Sequence, residues 1–455
     1  MNLKNYQNIY MIGIGGISMS GLAHILVKWN YNVSGSNNEE SITTKELESN
    51  NIHVNIGHNA NNITNDIDLV VYTAAIKNDN VELVKARELG IPCIERGEFL
   101  GELTCLFKDT IGIAGTHGKT STTSMVSSCF LEGKKDPSIQ VGATLDLIDG
   151  NYRVGESDYF IIEACEYCDS YLNFKQKSAI VLNIDDDHLD YFKNIENIEA
   201  SFRKYVANLP VDGMLVINND DERVSKLKDY TKAKVITTGI LNDSMYMAKN
   251  IIYDENGNAS FEVYKNNELV DKFSIAIPGL HMVRNALCCI ALCLEYNISS
   301  KDIKNGLLKY HGASRRLEYK GEFNGAKVFD DYGHHPTEIE ATAKAFISKK
   351  HNESWVIWEG HTYSRVYEHK DEFPESLKHF DHIIVIDIYA AREENTFGIK
   401  PEYIVDKLKV MNKDAVYIND YEEIKNYLKE RVKDNDIILT LGAGYVSKIS
   451  DLLTK

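Results

Sequence analysis

Gly112-Ile-Ala-Gly115-Thr-His-Gly118-Lys119-Thr120-Ser-Thr-Thr123 is the stretch that decides the fold. Gly112 and Gly118 bracket the loop of a Walker A signature that closes on Lys119 and Thr120. The run from Asp109 to Ala114 predicts a buried strand and Ser121 to Leu131 a helix, so the motif stands in the strand, loop and helix context that gives it meaning. Glycines let backbone N–H groups turn inward around phosphate oxygens, and the helix N-terminus adds its dipole. Lys119 adds a positive charge, and the Thr120 hydroxyl is suited to ligate magnesium. This pattern implies binding of a nucleoside triphosphate.

Composition sets the outer limits. A chain of 455 residues has room for about three domains. With 67 Asp and Glu against 50 Lys and Arg, the net charge of -17 argues against a nucleic-acid surface, which needs a basic stripe. The first residues lack a basic start followed by a long apolar run, and no apolar segment reaches bilayer length. A cytoplasmic protein with no membrane partner is the expectation. Eight cysteines scattered over this length are expected to be reduced thiols. Cys165 with Cys168, and Cys288 and Cys289 with Cys293, are the clusters. No second pair stands at zinc-finger spacing and the later cluster falls on an apolar helix, which argues against zinc.

Working outward from the Walker loop, the chain reads as alternating strands and helices, an α/β protein. Residues 8 to 13 predict a strand that runs into Gly13-Ile-Gly15-Gly16-Ile-Ser18-Met19-Ser-Gly21, a glycine turn opening a helix, as in a Rossmann-like start. Ser18 stands at the third glycine position, and the next strand ends in Ser36-Asn37 without the acid that would hold a ribose, so a nicotinamide cofactor is disfavoured. The turn still suits a diphosphate. Strands at 52–56, 68–73 and 91–95 complete a domain over residues 1–105. A central domain, 106–312, carries strands at 158–163, 178–183, 213–217 and 234–238. Its segment 250–277 predicts an antiparallel hairpin around Tyr253-Asp-Glu-Asn-Gly-Asn258. Residues 313–455 predict a third α/β set with strands at 326–330, 354–359, 382–387, 414–418 and 436–441.

The candidate chemistry sits at predicted strand ends. Glu163 closes the strand from Asp158, where a P-loop architecture needs a metal-ligating acid. Asn183-Ile-Asp-Asp-Asp-His188 follows another strand and offers oxygens and an imidazole to magnesium or manganese. Asp330-Asp331-Tyr-Gly-His-His335 and Gly360-His361-Thr-Tyr-Ser-Arg365 end two consecutive strands, which marks the binding edge of an α/β sheet. Arg365 is suited to clamp a carboxylate, and the third domain is expected to close on nucleotide or substrate.

Five ordered motifs, GIGGISMSGLAHIL, GIAGTHGKTSTT, NIDDDHLDYF, PGLH-x-x-x-NA and DDYGHHPTEI, make the chain resemble the Mur ligases over nearly its whole length. The resemblance implies a three-domain architecture: an N-terminal Rossmann-like UDP-sugar domain, a central P-loop ATPase and a C-terminal Rossmann-like domain. It implies ATP-dependent ligation of an amino acid, here L-alanine, to the lactyl carboxylate of UDP-N-acetylmuramate through an acyl phosphate. By the same resemblance the UDP-sugar falls to Gly15, Gly16, Ser18, Met19, Ser36 and Thr73. ATP falls to Gly115, Thr116, His117, Gly118, Lys119, Thr120, Ser121, His281, Asn285, Arg316 and Asp331. Two magnesium ions, replaceable by manganese, fall to Thr120 and to Glu163 with His188. Lys119, Glu163, His188, His335 and Arg365 would serve catalysis, and His361 with Arg365 the amino acid.

The chain departs from the family pattern in three places. The usual EADESD is Glu163-Ala-Cys165-Glu166-Tyr167-Cys168, an expected Asn is Met282, and a common FQPH is Trp358-Glu359-Gly360-His361. Glu359 introduces an acid beside the expected acceptor pocket, which opens glycine and L-serine as alternative acceptors. A non-catalytic UDP-sugar sensor is the other alternative, against which the retained Lys119, Glu163 and His188 count.

Overall fold

The computed structural model describes residues 3–455 except Ala74 and Arg392, with the side chains of all but Lys4 and Asp190. Its described residues divide into two compact units. One comprises the chain to Lys249 with Val263–Asp271 and Arg284–Tyr310; the other comprises Asn250–Glu262, Lys272–Val283 and His311–Lys455.

The first unit opens with a five-stranded parallel sheet in the order His53–Ile56, Asn32–Asn37, Asn8–Ile12, Leu69–Tyr72, Cys93–Glu95. The order reverses beside Asn8–Ile12, and the glycine turn leaves the carboxyl end of that strand, where open α/β sheets bind ligands. In the same unit a second sheet runs Lys234–Gly239, Met214–Asn218, Ser178–Val181, Asp109–Ala114, Tyr159–Glu163, Ser138–Leu145, all parallel. Gly150–Arg153 is antiparallel at that edge. The Walker strand is therefore central and buried, as its unbroken apolar run Ile111, Ile113, Ala114 requires.

The helix that follows, Lys119–Glu132, is buried through Ser121, Thr122, Thr123, Ser124, Ser127 and Ser128. Small side chains let its neighbour Ser300–Lys309 come close: Ser128 Oγ donates to the Gly306 carbonyl at 2.7 Å. A Cβ on Gly306 would fall 2.7 Å from the Cys129 Cα, so only glycine admits this approach.

The second unit carries a six-stranded sheet in the order Glu318–Phe323, Ala326–Asp331, Ile437–Leu441, Ser354–Trp358, His382–Val385, Asp414–Tyr417. Glu318–Phe323 is antiparallel and the rest are parallel. Trp355 and Trp358 lie in its core.

The structure differs from the sequence reading in local ways. The expected hairpin is three strands, Tyr246–Tyr253, Asn258–Lys265 and Glu268–Pro278. The arm Ser138–Leu145 with Gly150–Arg153 was not expected, although Ile139, Val141, Ala143 and Leu145 alternate with polar or small residues as a strand requires. Strand Glu318–Phe323 was not expected either, because three of its six residues are charged and Gly321 takes an apolar position.

Candidate active site

The phosphate loop is held in shape by the segment after strand Ser178–Val181. Thr116 N–H donates to the Asn183 carbonyl (3.1 Å), His117 N–H to Asn183 Oδ1 (2.7 Å), and Asn183 Nδ2 back to the His117 carbonyl (2.9 Å). Asp185 N–H donates to Thr116 Oγ1 at 2.9 Å, and His117 Nε2 lies 3.0 Å from Asp185 Oδ2. Gly115 and Gly118 have φ of +136° and +83°, a left-handed conformation that suits glycine. A Cβ on Gly118 would lie 2.7 Å from Asn285 Nδ2, so Asn285 is packed directly over the loop. Ser121 is buried at the start of the helix, and Thr120 is half-buried beside it. His281 lies in the first turn of the helix that carries Asn285.

Lys119 is gripped by four oxygens. Its ammonium donates to the carbonyls of Gly115 (2.6 Å) and Thr116 (3.0 Å) and to both carboxylate oxygens of Glu166 (3.0 and 2.9 Å). The Lys119 and Glu166 side chains are only 15% and 2% exposed. Burial by itself would lower the ammonium's pKa, but the Glu166 carboxylate overrides it and holds Lys119 well above the ordinary lysine value. Glu166 was not among the expected site residues. Its signal was present as the second glutamate retained in Glu163-Ala-Cys165-Glu166. His188 Nε2 lies 3.9 Å from both Glu166 Oε1 and Asp187 Oδ2, so this carboxylate stands between the P-loop lysine and the expected metal ligand. Asp190 of the same motif falls outside the described side chains.

Glu163 ends its strand with Oε1 accepting the Gly142 N–H at 2.7 Å. Gly142 belongs to Ser138–Leu145, and the same strand supplies Gln140, whose Nε2 donates to Ser18 Oγ (3.0 Å) and the Ser18 carbonyl (3.2 Å). One strand thus links the glycine turn of the first sheet to Glu163. Sequence reading missed Gln140 because it missed the strand.

At the glycine turn, Gly15 N–H donates to Asn37 Oδ1 at 3.3 Å, Gly16 is the N-cap of helix Ile17–Lys28, and Met19 is buried. Gly13 packs against Thr73, whose Cγ2 would be 2.7 Å from a Cβ there. Ser36 acts through its backbone: its carbonyl accepts from Gly13 and Ile14, while its fully buried hydroxyl donates to Glu82 (2.5 Å). Its side chain therefore faces a buried network with Tyr10 and His58 rather than the turn.

In the second unit, Asp331 is buried and accepts from Leu317 N–H and Gly333 N–H, both 2.8 Å, and from Thr342 Oγ1 at 3.3 Å. Burial pushes its carboxyl up to about 6. Arg316 stacks over the Tyr332 ring. His335 caps helix Pro336–Ile347 in a capping box with Glu338, a structural duty for an expected catalytic residue. His361 and Arg365 do come together: Arg365 Nη1 is 3.0 Å from His361 Nδ1, and the rings of His334 and Tyr389 flank His361 at 5.4 and 5.6 Å.

Glu359 stands two residues before His361. It is 4% exposed, and its two oxygens accept from Tyr445 N–H (3.1 Å) and Val446 N–H (3.2 Å) ahead of helix Ser447–Thr454. Burial raises its pKa. The acid braces the 442–446 loop, because buried backbone donors must be satisfied.

A braced Walker loop on a central parallel strand, preceded by a Rossmann-like glycine turn and followed by a second strand-end cluster, defines an α/β P-loop nucleotide-binding protein. Family comparison narrows the class: residues 8–108 match the Mur ligase family catalytic domain, 113–293 the Mur ligase middle domain and 315–444 the Mur ligase glutamate ligase domain. The chain belongs to the Mur ligase family. It is 44% identical over 458 residues to UDP-N-acetylmuramate--L-alanine ligase of Lachnospira eligens, covering 100% of this chain and 99% of that one. It is 46% identical over 453 residues to the Clostridium acetobutylicum protein of the same name, covering 99% and 98%. The crystal structure of the UDP-N-acetylmuramate-alanine ligase from Thermotoga maritima superposes with a TM-score of 0.83 at 27% identity, covering 98% of each chain. A murein peptide ligase from Psychrobacter arcticus shares the fold, with a TM-score of 0.71 at 24% identity and 98% of each chain covered. No helix among the described residues is long and apolar enough to cross a membrane.

Proposed function

We propose that this chain uses ATP to join L-alanine to the lactyl carboxylate of UDP-N-acetylmuramate, releasing ADP and phosphate, in the cytoplasmic synthesis of peptidoglycan precursors. The observation that carries this reading is the full-length similarity to relatives of that name, with the charged groups of a phosphoryl-transfer site present around Lys119. In this reading residues 1–105 take the UDP-sugar on Gly15, Gly16, Ser18 and Met19. Residues 106–312 take ATP on Gly115 to Ser121 with Asn285, and residues 313–455 take the amino acid on His361 and Arg365.

A carboxylate does not react with an amine unaided, so one of its oxygens first attacks the γ-phosphorus and ADP departs. The uncharged amine of alanine then attacks the acyl carbon, and phosphate departs. Lys119 balances the charge that shifts from the γ-phosphate to the ADP oxygen, in a loop whose dipoles are already oriented. Thr120 and Glu163 offer oxygens, which fits magnesium, and the imidazole of His188 makes manganese an acceptable substitute. Bound there as two ions, magnesium would neutralise phosphate charge. Arg365 orients the alanine carboxylate, because a guanidinium fork matches that group.

The two backbone N–H groups that Glu359 accepts support a bracing role for it, in keeping with alanine rather than glycine or L-serine as acceptor. The test is phosphate release in the presence of ATP and UDP-N-acetylmuramate, measured with L-alanine, glycine and L-serine at equal concentration. Alanine should be used fastest. Serine or glycine incorporated about ten times faster than alanine would overturn the acceptor assignment, since one polar group rarely excludes a methyl by more than a modest factor.

A further inference from the structure

Cys129, Cys289 and Cys293 form a closed triangle of thiols within the first unit. Cys129 lies on helix Lys119–Glu132, and Cys289 and Cys293 lie one turn apart on helix Leu280–Glu295. The sulfurs of Cys129 and Cys289 are 3.9 Å apart, those of Cys289 and Cys293 4.0 Å, and all three lie within 4.8 Å of one another. Each residue is 0% exposed. Helix Ser300–Lys309 closes one side of the cluster, since a Cβ on Gly306 would stand only 2.9 Å from Cys129 Sγ. The neighbouring Cys288 points elsewhere, with its sulfur 3.2 Å from Thr238 Oγ1.

Three sulfurs bound in a plane around one cation at about 2.3 Å, the zinc–thiolate length, stand apart by √3 times that, about 4.0 Å. Two sides of the triangle have that length already. Soft thiolate sets select Cu(I) and zinc, but zinc is almost always held by four ligands. Among the described residues no fourth His, Cys, Asp or Glu joins the three. We propose that Cys129, Cys289 and Cys293 form a site for a thiophilic cation, with monovalent copper as its occupant. Each ligating sulfur exchanges its proton for a metal–sulfur bond, the proton passes to buffer, and the metal keeps its oxidation state. Loading ties the helix that starts at the P-loop to the helix that places Asn285 over Gly118.

The test is anaerobic titration of the full-length protein with Cu(I) in competition with bicinchoninate, a parallel titration with Zn²⁺, and X-ray absorption of the loaded parent. One copper per chain should be retained, in a shell of three sulfurs alone. Affinity should fall about tenfold or more in Cys129→Ala and Cys293→Ala and stay unchanged in Cys288→Ala. Where an alanine variant does not fold, the sulfur shell in the parent decides. Copper not retained by the parent, nitrogen or oxygen in the shell, or an equal loss in Cys288→Ala overturns the site. Zinc held in preference to copper overturns the choice of occupant.

Discussion

Replacing Glu166 with glutamine tests how strongly this carboxylate holds Lys119. An ammonium has three N–H donors, and Lys119 faces four acceptor oxygens at 2.6–3.0 Å. To reach a phosphate it must release at least one, and Glu166 is the partner whose charge a phosphate replaces in kind. A hydrogen bond to a charged group contributes about 1.5–3 kcal/mol and a neutral one about 1 kcal/mol, so Glu166→Gln removes roughly 1–2 kcal/mol from the nucleotide-free fold. The same amount no longer opposes binding. ADP affinity should therefore rise about five- to thirtyfold while the melting temperature of the free protein falls by a few degrees. Isothermal titration calorimetry with ADP and magnesium, beside a thermal melt without nucleotide, measures both. Unchanged or weaker ADP binding in the variant refutes the exchange and means that Glu166 keeps hold of Lys119 in the bound state.

Lys119→Ala should cut ligation by about a hundred- to thousandfold, and near-normal phosphate release would dismiss the P-loop assignment. Because it strands the buried Glu166 carboxylate, it should also lower stability by about 3 kcal/mol, which urea unfolding reads. Glu163→Ala and His188→Ala should each raise the magnesium concentration needed for half-maximal turnover more than they weaken UDP-sugar binding; a parental magnesium curve removes that residue from the metal site. Glu359→Gln should lower stability by about 1–2 kcal/mol through the Tyr445 and Val446 N–H groups and leave the preference among alanine, glycine and serine untouched. Asp331, raised from an ordinary 3.8 to about 6, contributes stability that is full below pH ~4 and lost as the pH rises through about 6. The change is roughly 3 kcal/mol. Urea midpoints between pH 4 and 7 should slope less in Asp331→Asn than in the parent, and equal slopes would clear Asp331 of the effect.

The sequence by itself determined what depends on local order along the chain. The Walker strand was read as Asp109 to Ala114 and is found over those residues, because an apolar run closing on glycines admits few other conformations. The strands ending near Glu163, Asp331 and His361 were legible in the same way, so the functional strand ends could be named before their surroundings were known. Tertiary structure decided where long side chains with several rotamers point, since that depends on donors and acceptors brought by distant segments. Glu166 meets Lys119 across 47 residues, and Glu359 meets Tyr445 across 86. Ser36 turns its hydroxyl to Glu82, and Cys129 joins two cysteines on another helix. No spacing rule reaches across such separations, because a buried polar group is satisfied by whichever partner the packed fold presents.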